Sequence, residues 1–208
     1  MVTLHLLRHG QTNFNAEKRV QGQFDSVLTK AGTEQAKNIR PMIEQLDLNA
    51  AYASTNLRAS HTAKIVTENL TVDLKFRDGL REIMMGPWQE RLYSEVAQTD
   101  PDEMENFIKA PDKFALQGAE TFAQVQARGV KTVEAIVATQ QQGNILIVSH
   151  GVMIKTLLCH YAKRGLSHVW AAPHLGNCSH SIIELRGGDD YHVTKVGDKS
   201  SKGTIWAS

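Results

Sequence analysis

Two histidines in this chain follow the same local grammar. In LLRHGQTNFN (6–15) an apolar run ends on Arg8, His9 and Gly10, and in ILIVSHG (145–151) another ends on Ser149, His150 and Gly151. An imidazole can attack phosphorus and hold it covalently, and a guanidinium matches a phosphate with its planar fork. A third apolar segment leads into STNLRASHTA (54–63), which offers Arg58, and a fourth into FRDGLREIMMGPW (76–88), which offers Glu82. A carboxylic acid completes the set, because it can protonate a departing oxygen. Each residue taken alone reads as well as a solvated strand end or an exposed helix position. Glu90, Glu95 and Glu103 are alternative sources of the carboxyl group.

These residues need a scaffold that brings distant segments together. VTLHLL (2–7), AAYAS (50–54), VDLKF (72–76) and NILIVS (144–149) read as strands, the last as a continuous β-favouring block suited to full burial. Between them, Ala36, Ile39, Ile43 and Leu46 keep helical spacing after a candidate N-cap at Thr29, and Pro41 is expected to kink or split that helix. Ala59, Thr62, Ala63, Val66 and Leu70 trace a second face, and Val130, Val133 and Val137 a third. GVMIKTLLCHYA (151–162) is apolar nearly all round and therefore expected to be buried.

Strands alternating with helices predict a three-layer α/β fold with a mainly parallel central sheet. SHSIIEL and YHVTKV, joined by RGGDD, predict a terminal hairpin. Residues 88–119 break the alternation and are expected to form a helical insertion over the crevice, within a single domain spanning 1–208. Ligands of open α/β sheets lie beyond the carboxyl ends of the strands, so two His-Gly steps there can face one crevice.

Composition narrows the partners. Of 208 residues 41% are hydrophobic, and the net charge of +1 gives no electrostatic reason to expect nucleic acid or a membrane surface. No apolar run approaches the ~20 residues that span a bilayer. The N-terminus lacks the features of a signal peptide, and Cys159 and Cys178 form no disulfide framework, so a cytoplasmic protein is expected. His160, His168, His174, His180 and His192 lack the close spacing of a zinc motif, and no metal or other cofactor is expected. His61 reads as a surface residue, and Trp88, Phe107 and Phe114 as either pocket wall or ordinary packing.

The spaced motifs together resemble the histidine phosphatase superfamily, which includes phosphoglycerate mutase-like proteins. LLRHGQTNFN, RVQGQFDSVLTKAGTEQA, STNLRASHTA, LREIMMGPW, ETFAQVQAR and IVSHG occur in the family's order over most of the chain. The resemblance implies that His9 is a phosphohistidine nucleophile and Glu82 the proton donor. It implies that Arg8, Arg58 and His150 bind the phosphoryl group, and that Asn15 and Gln21 line the same pocket. Val27 stands where the family often has proline, and GPWQER lacks the glycine often found shortly after the tryptophan.

The implied activity is metal-independent hydrolysis of a small phosphomonoester. A phosphoglycerate mutase is the alternative, although the family's mutases carry an ERxYG segment that this chain lacks and the tail KGTIWAS offers little with which to close a site. A phosphate-binding regulatory module is the reading from another class.

Overall fold

The computed structural model describes residues 1–140 and 142–207. Seven strands form one sheet in the order β3-β2-β4-β1-β5-β6-β7. These are β1 (Val2–Arg8), β2 (Leu48–Ser54), β3 (Leu74–Arg77), β4 (Gly143–Ser149), β5 (His180–Gly187), β6 (Asp190–Val196) and β7 (Lys199–Ser200). The first four in that order run parallel, and β5 to β7 add an antiparallel extension that contains the expected hairpin. Side chains alternate across the central strands. Leu4 and Leu6 of β1 enter one core with Ile145 and Ile147 of β4, whereas Leu7, Leu146 and Val148 enter the other. Burial on both faces is why these strands read as unbroken apolar runs.

Helices α2 (Lys30–Glu44) and α3 (Leu57–Val66) supply one core through Ala36, Ile43, Ala59, Ala63 and Val66. Thr29 caps α2 by accepting from the Gly32 N–H at 3.0 Å. Pro41 does not split the helix. It lies in the final turns on the exposed side, where the Lys37 carbonyl deprived of its donor belongs to an exposed residue. Leu46 and Leu70 lie past the ends of their helices but still pack against this core.

The other core holds α6 (Phe122–Ala138) and α7 (Gly151–Tyr161). Helix α7 is buried nearly all round, as its composition requires. The deepest face of α6 runs through Phe122, Val125, Gly129, Val133 and Ile136, with Val130 and Val137 flanking it. Gly129 sets this rotation. A Cβ there would come within 2.5 Å of the Met153 sulfur on α7, so the absence of a side chain makes room for α7.

Residues 88–119, expected as an insertion, contain the helices α4 (Tyr93–Thr99) and α5 (Pro101–Lys109); the short α1 (Asn13–Glu17) follows β1. Aromatic rings bind the insertion to the body. Phe107 meets Trp88, Phe114, Phe122 and Trp170 with centroids 5.3–6.2 Å apart. Such pairs contribute about 0.5–1.5 kcal/mol each beyond their buried area. Trp206 near the C-terminus is fully buried, so the tail belongs to the core rather than hanging at the mouth of a site. Among the described residues no helix is long and apolar enough to cross a membrane.

Candidate active site

The strand order creates the site. β4 lies between β2 and β1, and Arg8 pairs in register with Ser149, so the two His-Gly steps emerge side by side. β1 leads toward α2 on one face and β4 leads into α7 on the other, which opens a crevice at the strand ends. There lies a cavity of about 470 Å³ whose walls include Arg8, His9, Arg58, Glu82, Asn15 and Gln21. His150 is wholly buried behind His9, with ring centroids 5.2 Å apart. All seven residues singled out in the sequence therefore converge.

His9 is held by its backbone and by its ring. Its N–H donates to the Ser149 carbonyl at 3.0 Å, and its carbonyl accepts from the Cys178 N–H at 3.2 Å and from Asn177 Nδ2 at 3.1 Å. Nδ1 lies 2.7 Å from the Gly10 carbonyl, and Nε2 lies 3.3 Å from Arg58 Nε. A carbonyl only accepts and a guanidinium only donates, so Nδ1 carries the hydrogen and Nε2 keeps its lone pair. Burial, then Arg58 and Arg8, hold the imidazole well below its ordinary range, so His9 is neutral at pH 7. Gly10 and Gly32 meet back to back beneath this loop, where a Cβ on Gly32 would sit 2.0 Å from the Gln11 carbonyl oxygen.

Arg58, on the first turn of α3, is fully buried. Nη1 donates to the Phe24 carbonyl at 2.9 Å and Nη2 to the Gly22 carbonyl at 2.7 Å, which fixes its plane over His9. Burial lowers its pKa to about 10, a shift limited by Glu82 and Asp25, so it stays cationic at neutral pH. Arg8 donates through Nη1 to the Leu175 carbonyl, while its buried Nε has no partner among the described residues. A buried guanidinium N–H without a partner is an unmet donor. His150 bonds Ser54 Oγ through Nε2 at 2.8 Å, and its buried Nδ1 is likewise without a partner. Burial, then Arg58 and His9, hold this ring also well below the usual imidazole range.

Asn15 and Gln21 turn their amide oxygens inward. Asn15 Oδ1 accepts from the Thr12 N–H at 3.1 Å and from Asn177 Nδ2 at 3.2 Å, and Gln21 Oε1 accepts from Ser26 Oγ at 2.7 Å. Neither side-chain NH₂ has a hydrogen-bond partner among the described residues.

Glu82 sits at the N-terminus of α7. Its Oε2 accepts from the Val152 N–H at 3.2 Å, and Oε1 accepts from the N–H groups of Met153 at 3.2 Å and Ile83 at 3.0 Å. A Cβ at Gly151 would lie 3.7 Å from Arg8 Nε and 3.8 Å from Glu82 Oε2, so glycine leaves the space between them open. No other carboxylate lines the cavity among the described residues. Glu95 instead accepts from the Leu92 N–H at the start of α4, and Glu103 from the Ala115 N–H.

Sequence reasoning assigned no part to Glu120 and Arg128, although both lie in ETFAQVQAR. Arg128 donates to the carbonyls of Gly79 (3.1 Å), Arg81 (2.7 Å) and Glu82 (2.9 Å), and pairs with both oxygens of Glu120 at 2.7 and 2.9 Å. Glu120 also accepts from the Met84 N–H at 2.8 Å. Burial works to raise the Glu120 pKa, but the Arg128 hydrogen bond and the Met84 amide outweigh it and hold the carboxyl below its ordinary value. The loop carrying Glu82 is thus braced from behind.

One of the two departures from the family pattern has a local explanation, and at the other the backbone still favours glycine. The Val27 N–H donates to Asn13 Oδ1 at 3.2 Å, which a proline cannot do. Glu90, two residues after Trp88, has φ +70°, the left-handed conformation that glycine adopts at least cost.

His61 is exposed, Trp88 and Phe114 are core residues, and Phe107 reaches the cavity wall. Cys159 and Cys178 are buried. Among the described residues no group of three or more His, Cys, Asp or Glu side chains is placed to hold a metal ion.

The crevice at the strand ends is lined by three arginines, Arg8, Arg19 and Arg58, with Lys18 and the neutral His9, a setting that suits an anionic ligand. The chain belongs to the histidine phosphatase superfamily (branch 1), whose family model matches residues 4–199. Among solved structures it resembles Bacillus stearothermophilus YhfR, with a TM-score of 0.91 and 38% identity over 96% of this chain and 98% of that one. Among curated relatives, phosphoserine phosphatase 1 of Hydrogenobacter thermophilus is 29% identical over 89% of this chain and 87% of its own length. The probable phosphoglycerate mutase GpmB of Salmonella choleraesuis is also 29% identical, over 89% and 86%.

Proposed function

We propose that this protein is a metal-independent phosphatase that hydrolyses small phosphomonoesters through phospho-His9. The observation that carries this reading is the neutral His9 ring, with its Nδ1–H tied to Gly10 and its Nε2 lone pair engaged only by the Arg58 N–H, at the wall of a cavity that holds one carboxyl group among the described residues.

In the first step the His9 Nε2 lone pair forms a bond to phosphorus while the bond to the ester oxygen breaks. Protonated Glu82 gives its proton to that oxygen, and the alcohol leaves. Arg8 and Arg58 balance the charge on the equatorial oxygens, supplying the neutralisation that a metal ion provides elsewhere. The NH₂ groups of Asn15 and Gln21 and the unpartnered nitrogen of His150 are further contacts in this reading. In the second step water attacks phosphorus, the N–P bond breaks, and Glu82 takes the proton from water. Phosphate leaves, and both residues return to their starting states.

The mutase alternative needs a site that keeps water from the phosphoenzyme. The names of the curated relatives do not separate the two, because the phosphatase and the mutase match equally well. EIMMG in place of the mutase segment favours hydrolysis. A purely phosphate-binding role would leave unexplained why every reactive group is retained.

The test uses wild type and His9→Ala in EDTA, with 3-phosphoglycerate, phosphoserine and simple phosphomonoesters. Inorganic phosphate and 2-phosphoglycerate are quantified together. Phosphate release by wild type alone is expected. Dominant 2-phosphoglycerate would make the protein a mutase, and undiminished release by His9→Ala would overturn the mechanism.

A further inference from the structure

Lys155 is the one lysine in the most buried helix of the molecule, and it is only 2% exposed. A buried ammonium requires partners, and here none is a carboxylate. Nζ donates to the carbonyls of Ala171 at 2.6 Å and Pro173 at 2.8 Å, and it stands 4.6 Å from the centre of the Trp206 ring. Burial pushes the amine down to about 8. An ammonium has three N–H bonds, so two carbonyls and one ring face account for all of them. Although Lys155 borders the cavity, it has no donor left for a substrate.

The segment it holds is tied at every step. Trp206 Nε1 donates to the Ala172 carbonyl at 2.8 Å, so three consecutive carbonyls are taken by Lys155 and Trp206. Trp170, just before them, donates through Nε1 to the Phe107 carbonyl in the insertion. Leu175, two residues after them, provides the carbonyl that accepts from Arg8 Nη1. Among the described residues this is the single hydrogen bond of the Arg8 guanidinium, whose buried Nε has no partner.

We propose that Lys155 is a positioning residue for phosphoryl binding: by holding segment 171–173 against α7 it fixes the Leu175 carbonyl, and that carbonyl aims the Arg8 guanidinium. The inference rests on the reading of Arg8 as a phosphoryl ligand. Trp206 is the second half of the device, which gives the C-terminal tail a part in the site without touching substrate.

The test is a double-mutant cycle on the full chain, read as the affinity for inorganic phosphate by titration calorimetry. Lys155→Met is expected to weaken phosphate about tenfold, as for one misdirected charge-assisted contact, and Lys155→Arg to recover most of it. In an Arg8→Met background the same Lys155→Met change is expected to have almost no further effect, because its route is gone. Should Lys155→Met not fold, Trp206→Phe removes the bond to Ala172 and is expected to weaken phosphate about threefold, again only when Arg8 is present.

A folded Lys155→Met protein that loses thermal stability but binds phosphate within about twofold of wild type would overturn the proposal and leave Lys155 a structural residue. An undiminished effect in the Arg8→Met background would also overturn it. Wild-type phosphate affinity in Arg8→Met alone would instead overturn the reading of Arg8, a separate failure visible in the same cycle.

Discussion

Arg128→Met tests whether the brace behind Glu82 serves catalysis or only stability. The change removes five hydrogen bonds, three to the carbonyls of Gly79, Arg81 and Glu82 and two to the Glu120 carboxylate. Removing one partner of a buried ion pair costs about 3–5 kcal/mol, but the Glu120 side chain is 23% exposed and water relieves part of its charge, so about 2–3 kcal/mol is expected. For a chain of this length each kcal/mol lowers Tm by about 2–4 °C. The catalytic effect is separate. A displacement of Glu82 on the order of 1 Å costs about 100-fold in rate when the group must deliver a proton along a fixed line.

That loss depends on the substrate. An alkyl phosphate expels an alkoxide, which needs the proton, whereas p-nitrophenyl phosphate expels a stable anion. The expected result is a kcat/KM reduced about 100-fold on glycerol phosphate and tenfold or less on p-nitrophenyl phosphate, with the folded fraction fixed by denaturant titration at the assay temperature. Equal losses on the two substrates would refute the link from Arg128 to the Glu82 proton. So would an activity loss no larger than the unfolded fraction.

Two further outcomes follow from contacts around the site and within the sheet. Gly32→Ala places a Cβ 2.0 Å from the Gln11 carbonyl oxygen and 2.7 Å from its nitrogen, and these are backbone atoms that cannot rotate away. A loss of about 1–3 kcal/mol by urea unfolding and a lowered kcat are expected, since the displaced loop begins at His9. Acid sensitivity is expected from the sheet, where Lys195 Nζ lies 3.2 Å from His180 Nδ1 and His180 Nε2 lies 3.0 Å from His5 Nδ1. Burial, then Lys195 and His5, lower the His180 pKa from 6.5 to about 3. The unfolded chain therefore binds this proton first. Stability is complete above pH 6.5 and is lost as pH falls toward 3, by about 2–3 kcal/mol at pH 4.5. His180→Gln should flatten that slope in urea titrations at pH 7 and 4.5, and an unchanged slope would contradict the assignment.

The seven candidate residues were singled out in the sequence by type and spacing, and the fold brings them to one crevice. An imidazole after a buried strand, repeated with its glycine, and arginines at strand ends suit a phosphoryl group, and the spaced set of motifs, not RHG alone, displays the pattern. The strand order was not legible. No periodicity in NILIVS tells that β4 inserts beside β1, yet that insertion sets His150 behind His9. Nor does spacing reveal which part of a helical face lies deepest. Val130, Val133 and Val137 marked the correct side of α6, but Met153 of α7 sits where a side chain at Gly129 would be, a residue that apolar patterns count as nothing.

The supporting residues are hidden for a different reason. Nothing in their local sequence shows that Arg128 meets the carbonyls of Gly79, Arg81 and Glu82 or that Lys155 meets those of Ala171 and Pro173. Both positions are set by where distant backbone passes. The same reasoning explains why the tail KGTIWAS looked idle. A tryptophan near a terminus has no periodic neighbours to declare its burial, and only the packing of α7 against segment 171–173 gives its ring a cation and its N–H a carbonyl. Residues that react can be recognised by type, whereas residues that aim them can be recognised only by their contacts. Substitutions that disturb this protein without touching its ligand are accordingly expected to concentrate at Arg128, Glu120, Lys155 and Trp206.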